Sequence, residues 1–132
     1  MTIADSDREL LIKRNLEKAH EAINDVAFLI ENRRLNLAVN RIYYGIFYSL
    51  TALALRDQFS TRKHQQLIGW FNQTYIKTGK IEKKYGATVH MAYDMRAKGD
   101  YGDIFDFPSE LIIEMFGEMK TFIEIIETIS IR

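Results

Sequence analysis

The chain has no cysteine, a single proline, seven glycines and no net charge. Each shortage excludes something. Without cysteine there is no disulfide, no thiolate metal site and no thiol nucleophile. With so little proline and glycine there are few enforced breaks, so long helices with short connections are the natural outcome. Lysine plus arginine and aspartate plus glutamate stand at 18 each, which removes any bulk electrostatic attraction to nucleic acid and leaves only a local basic patch open. No apolar run approaches the roughly 20 residues that span a bilayer. The opening "MTIADSDREL" lacks the basic-then-apolar order of a signal peptide. These readings predict a cytoplasmic protein, with residues 1–132 forming one domain and no internal repeat or linker.

What is present is helical periodicity. A first helix is expected over residues 6–31, with Ile12, Leu16, Ala19, Ile23, Val26 and Ile30 in one stripe. Ser6 or Asp5 is its expected N-cap, and Glu9 is placed to close a capping box on Ser6. A second helix is expected over residues 35–57. It is apolar almost all round, with Arg41 its only charge between Arg34 and Arg56, and so should lie at the centre. A third helix should follow "FSTRK", capped by Ser60 or Thr61, with His64, Leu67, Ile68, Phe71 and Tyr75 inward and Gly79 as its stop. A fourth, over residues 81–98, turns Tyr85, Thr88, Val89, Ala92, Met95 and Arg96 inward and ends at Gly99. A fifth begins with Pro108 in its first turn and carries apolar positions through Ile126. Nothing alternates with period two. The expected fold is an all-α, up-and-down antiparallel bundle of four to five helices.

The candidate chemistry is sparse. His20, His64 and His90 show no metal-ligand spacing. Asp100, Asp103 and Asp106 stand three apart, not at the alternate positions of a calcium loop, and read as turn formers. No metal and no cofactor are expected. There is no Gly-rich phosphate loop, no nucleophile elbow and no visible Ser/His/Asp set. Two features remain. Arg62, Lys63 and His64 at a helix start form a candidate anion site. Arg41 and Arg96 point inward, where a guanidinium needs carboxylates, carbonyls or a bound phosphate. Gly99 lets the chain reverse, so that Asp100 and Tyr101 can return toward Arg96. Arg41, Arg96, Asp100 and Tyr101 are therefore expected in one network. If that network is structural, Arg96→Ala should cost on the order of 3 kcal/mol by stranding its carboxylate.

Three segments, in order, resemble the HEPN family (higher eukaryotes and prokaryotes nucleotide-binding). "LNLAVNRIYYGIFYSLTALAL" is similar to its second-helix signature, with Arg41, Tyr43 and Tyr44 in an Arg-x-Tyr-Tyr core. "FSTRKHQQLIGWFNQTYIKTGKI" places His64 at a Lys-His position, and "MRAKGDY" supplies Arg-x-x-x-Asp-Tyr with Arg96, Asp100 and Tyr101. The resemblance implies a helical bundle, homodimers, and genetic pairing with a small nucleotidyltransferase, often as a toxin–antitoxin couple. It also implies, for many members, a metal-independent ribonuclease whose motif is an arginine followed after four to six residues by histidine. Here Arg96 is followed by "AKGDY", and Tyr101 stands where that histidine would be. Tyrosine, with an ordinary pKa near 10, shuttles protons poorly at neutral pH.

The leading expectation is thus a noncatalytic dimeric HEPN module that works with a nucleotidyltransferase and takes nucleotide or RNA. Arg41, Lys63, His64 and Lys98 are its candidate anion-binding residues. The rival is a ribonuclease toxin with Arg96, Asp100 and Tyr101 as catalytic residues. A third reading is a structural helical protein that binds no nucleic acid.

Overall fold

The computed structural model describes residues 3–101 and 106–132; the expected aspartate turn at Asp103 lies outside them. Five α-helices follow one another: α1 (Asp5–Glu31), α2 (Leu35–Arg56), α3 (His64–Phe71), α4 (Lys83–Gly99) and α5 (Ser109–Ser130). A π turn, Asn72–Ile76, continues α3. Among the described residues there is no strand, and the fold is the expected all-α bundle. α1 and α2, α2 and α4, and α4 and α5 pack antiparallel. Asp25 and Lys18 of α1 meet Arg41 and Tyr48 of α2. Tyr44 of α2 meets Arg96 of α4, while Gly99 lies beside Val39. Thr88 and Tyr85 of α4 meet Glu118 and Phe122 of α5.

The apolar α2 is the central helix, packed by α1, α3, α4 and α5. Eleven of its residues are buried, among them Ile42, Tyr43, Ile46, Leu50 and Leu53. Gly45 lies at its closest approach to two neighbours. A Cβ there would stand 3.1 Å from the Ala22 Cβ of α1 and would overlap the Met119 Cε of α5. The stripe on α1 is shifted from the expected one. Leu16, Ala19, Ala22 and Val26 are buried, whereas Ile12, Ile23 and Ile30 are only half-buried.

The starts of α1 and α5 differ from expectation. Ala4 is the N-cap of α1, with no side-chain cap, so the Ser6–Glu9 box does not form; Arg8 bonds instead to Asp5, at 2.7 Å, and to the Ile3 carbonyl. Pro108 is the N-cap of α5 rather than part of its first turn, and its carbonyl accepts from the Ile112 N–H. Both α1 and α2 end in Schellman turns whose left-handed residues are Arg33 (φ 56°) and Gln58 (φ 60°), not glycine. Gly79 (φ 76°) takes the expected left-handed position after the π turn. Tyr75, buried at that turn, donates to Asp57 and ties it to the end of α2. Burial first, and that bond second, push its phenol up to about 12.

Replacing Gly45 tests the close approach. Alanine gains about 1 kcal/mol in helix propensity. The new methyl meets a backbone-fixed Ala22 as well as the movable end of Met119, and overpacking of this kind costs about 1–3 kcal/mol. Gly45→Ala is expected to lose up to about 2 kcal/mol net, with the urea midpoint lowered and the slope unchanged. A midpoint equal to or above the parent's would mean that α1 and α2 have room to spare.

Candidate functional site

The site forms where the start of α3 meets the faces of α2 and α4. Tyr93 and Arg96 stand three apart on α4 and so share a face. That face lies on Tyr43 and Tyr44 of α2, which reach it because α2 and α4 are antiparallel. The Arg96 guanidinium carbon is 5.5 Å from the Tyr43 ring centre and 5.6 Å from that of Tyr44, a double cation–π contact. Its Nη2 donates to the Tyr44 hydroxyl at 3.4 Å, which is at the weak end of hydrogen bonding. Its Nε is buried without a partner, and among the described residues no carboxylate lies within ion-pair distance.

His64 is the first residue of α3, after the extended N-cap Lys63. Its ring stacks on Phe47, with centres 3.9 Å apart, and its Nδ1 is 2.6 Å from the Tyr43 hydroxyl. Burial raises the Tyr43 phenol far above its ordinary pKa, so the hydroxyl keeps its proton. That proton has no other described acceptor, so Tyr43 donates to Nδ1, and the neutral imidazole carries its own proton on Nε2. Burial, then the Arg96 charge, hold the His64 pKa below the usual 6.5. Nε2 has no protein partner among the described residues and is not buried.

Together Lys63, His64, Gln65, Gln66, Tyr93 and Arg96 line an open pocket of about 510 Å³. The amides in it are held. Gln65 donates to the Tyr93 hydroxyl at 2.9 Å. Thr61 donates to the Gln66 oxygen at 2.6 Å and accepts from the Lys63 backbone N–H. Thr61 thus shapes the helix start through a turn of its own, although it does not cap α3. Among the described residues the lining holds two cations and a protonated imidazole nitrogen, and no carboxylate.

The expected site residues separate into three groups. Lys63, His64 and Arg96 come together in the pocket. Arg41 shares the Tyr44 ring, at 5.7 Å, but its Nε turns to Asp25 of α1 at 3.8 Å and it does not line the pocket. Lys98 and Asp100 are exposed and outside it. Asp100 makes no side-chain hydrogen bond or ion pair among the described residues, and Tyr101 is 63% exposed. The expected four-residue network is therefore replaced by one in which aromatic rings, not Asp100, receive Arg96. The sequence reading missed Gln65, Gln66 and Tyr93. The spacing of Tyr93 from Arg96 was the available signal for the last. Among the described residues no three His, Asp or Glu side chains converge on a metal-sized space.

The Arg-x-Tyr-Tyr core on the central helix and the Arg96 corner facing it define a class of helical domain. The HEPN domain model matches residues 12–129, and the chain belongs to that family. It is 34% identical to the UPF0332 protein of Thermotoga maritima over 122 residues, 92% of both chains. It is 36% identical over 90 residues to a Methanocaldococcus jannaschii protein named "Putative toxin MJ0605", covering 68% of this chain and 67% of that one. A second protein of that organism, "Putative toxin MJ0142", is 30% identical over 106 residues, 77% and 72% of the two chains.

Arg96→Gln reports on the site in two ways. No described carboxylate is stranded, so the loss is that of cation–π contact and packing, about 1–2 kcal/mol by denaturant melting. The His64 imidazole, followed by NMR, should titrate higher than in the parent once the neighbouring cation is gone. It should stay below the ordinary value, because burial is the larger cause. An unchanged His64 titration would mean that the two groups do not interact.

Proposed function

We propose that the protein is a HEPN module that binds the phosphate of a nucleotide or RNA in the Lys63–His64–Arg96 pocket. On this reading it serves as the toxin-side member of a toxin–antitoxin couple, with a nucleotidyltransferase as its partner. The observation that carries the binding reading is the Arg96 guanidinium, held by two tyrosine rings with no described carboxylate to neutralise it, beside Lys63 and a His64 N–H. A group of this charge in an open pocket is suited to a phosphate. The names of the Methanocaldococcus relatives support the toxin side. The same reading makes the protein a homodimer, with Arg41, Tyr44, Tyr48, Thr51 and Leu55, a half-buried stripe along α2, as the face offered to a second copy. It also places the protein in the cytoplasm; among the described residues no helix is long and apolar enough to cross a membrane.

The rival reading, a metal-independent ribonuclease, draws on the proximity of His64 and Arg96, which a linear arginine–histidine motif could not reveal. The Tyr43 bond weighs against it. With a proton on Nε2, the neutral imidazole presents a donor to the pocket and no lone pair to take a proton from a ribose hydroxyl.

Calorimetric titration with short single-stranded RNA and with nucleotides at low salt tests the proposal. Binding is expected to weaken with added salt and to fall at least tenfold in Arg96→Gln and His64→Ala. The particle mass should be that of a dimer at micromolar concentration. Incubation of RNA with the protein in EDTA should leave it intact. Cleavage that disappears in His64→Ala would replace the binding module with the ribonuclease, and a titration without heat or saturation would remove the phosphate site altogether.

A further inference from the structure

The pocket also carries information on which kind of phosphate it takes, an inference that rests on the phosphate-binding reading above. We infer that it is built for a phosphomonoester, such as a nucleoside monophosphate or the terminal phosphate of an RNA, in preference to an internal phosphodiester. The argument is one of charge and donor count. A phosphodiester carries one negative charge and two anionic oxygens. A phosphomonoester approaches two charges at neutral pH, with three equivalent acceptor oxygens.

The lining matches the second. Arg96 and Lys63 supply two full positive charges. The Arg96 Nη1 has no described protein partner and is not buried, so it is free to donate. The His64 Nε2–H is a third donor, turned outward by the Tyr43 bond on Nδ1. The Gln66 amide is a fourth. Its oxygen is occupied by Thr61, which leaves its two N–H groups without a described partner. The fixed ends of these side chains are all acceptor-side or apolar: Tyr43 under His64, Phe47 against its ring, Thr61 on the Gln66 oxygen. What His64, Gln66 and Arg96 leave for a ligand is donors; among the described residues the Gln65 oxygen is the free amide acceptor in the lining. Among the described residues no carboxylate in the lining opposes a second negative charge. A monoanion would leave one of the two cations in the lining uncompensated.

The geometry adds a reason for the His64 donor to persist. If a dianion draws a further proton onto the imidazole, Nδ1–H can donate to the Tyr43 oxygen instead of accepting from it, and Nε2–H still faces the pocket. Either protonation state presents the same donor.

The test is a matched pair of small ligands titrated into the full chain at about pH 7.5, where the monoester is chiefly dianionic. Adenosine 5′-monophosphate and adenosine 3′,5′-cyclic monophosphate share base and sugar and differ in one phosphate charge. The monophosphate is expected to bind at least tenfold more tightly. Lys63→Gln, an exposed position whose change should leave the melting temperature unaltered, should bring the ratio close to one. A short RNA carrying a 5′-phosphate, compared with the same RNA carrying a 5′-hydroxyl, and inorganic phosphate alone, separate a terminal RNA phosphate from a free nucleotide as the source; the inference is supported where the monophosphate outbinds the cyclic ester, and a matching preference for the 5′-phosphorylated RNA makes the RNA end the source. If the monophosphate and the cyclic ester bind within twofold of each other and both are lost in Arg96→Gln, the pocket binds phosphate but does not select the monoester, and this inference fails alone. If neither nucleotide nor either RNA binds, the phosphate site fails with it.

Discussion

The Tyr43 hydroxyl has to be satisfied at the edge of the bundle, and the way it is satisfied organises everything around it. The Tyr43 ring is 1% exposed and belongs to the core of α2. A phenol that deep needs a partner, since an unpaired buried hydroxyl costs about 1–3 kcal/mol. The partner is His64, 2.6 Å away at the start of α3, so the loop after α2 is pinned by the same atom that fixes the imidazole tautomer. The face of the ring then receives Arg96 from α4. One residue therefore joins three helices and sets the proton position on one site group while supporting the charge of another. Removing its hydroxyl would leave the core ring in place and free His64 to choose its tautomer.

Most of the fold was legible in the sequence because the signal was redundant. The α2 stretch is apolar on nearly every side, and no alternative to a central helix accommodates it. Gly79 and Gly99 marked real ends, because each stands where a helical pattern stops. The parts that were not legible depend on competition between nearby groups. Ser6 and Glu9 have the spacing of a capping box, yet Asp5 and Arg8 pair one turn earlier and the helix begins at Asp5. Arg33 and Gln58 adopt left-handed conformations that glycine would signal and that their own sequence does not. There the hydrogen bonds from Arg34 to Leu29 and from Phe59 to Ala54 hold the turn against the residue's own preference.

The site was legible by residue and not by connection. Arg96 and His64 could be picked out, one as an inward cation and one as a helix-start histidine. Their meeting could not, because 32 positions of chain separate them and it is the antiparallel packing of α2 and α4 that closes the gap. Arg96 and Asp100 looked like natural partners from sequence distance alone. The last turn of α4 carries Asp100 outward, while Arg96 lies back over α2. Arg41 was expected in the same network for the same reason, that a buried cation seeks an anion. It does find one, at Asp25, by pointing toward α1 instead.

That difference between the two arginines is the strongest internal argument for a site. Both lie on the Tyr44 ring, both are half-buried, and both have an Nε without a hydrogen-bond acceptor. Arg41 has a carboxylate within reach, as a structural cation does. Arg96 has, among the described residues, only aromatic faces and one long bond to a phenol. A half-buried cation without an anionic partner is costly to stability alone. Among the described residues that leaves a charge-assisted donor set without a neutralising carboxylate, as the proposed phosphate site requires. Tyr43 and Tyr44 make that tolerable: their rings partly shield the cation without occupying its donors, so the guanidinium stays in place and stays available.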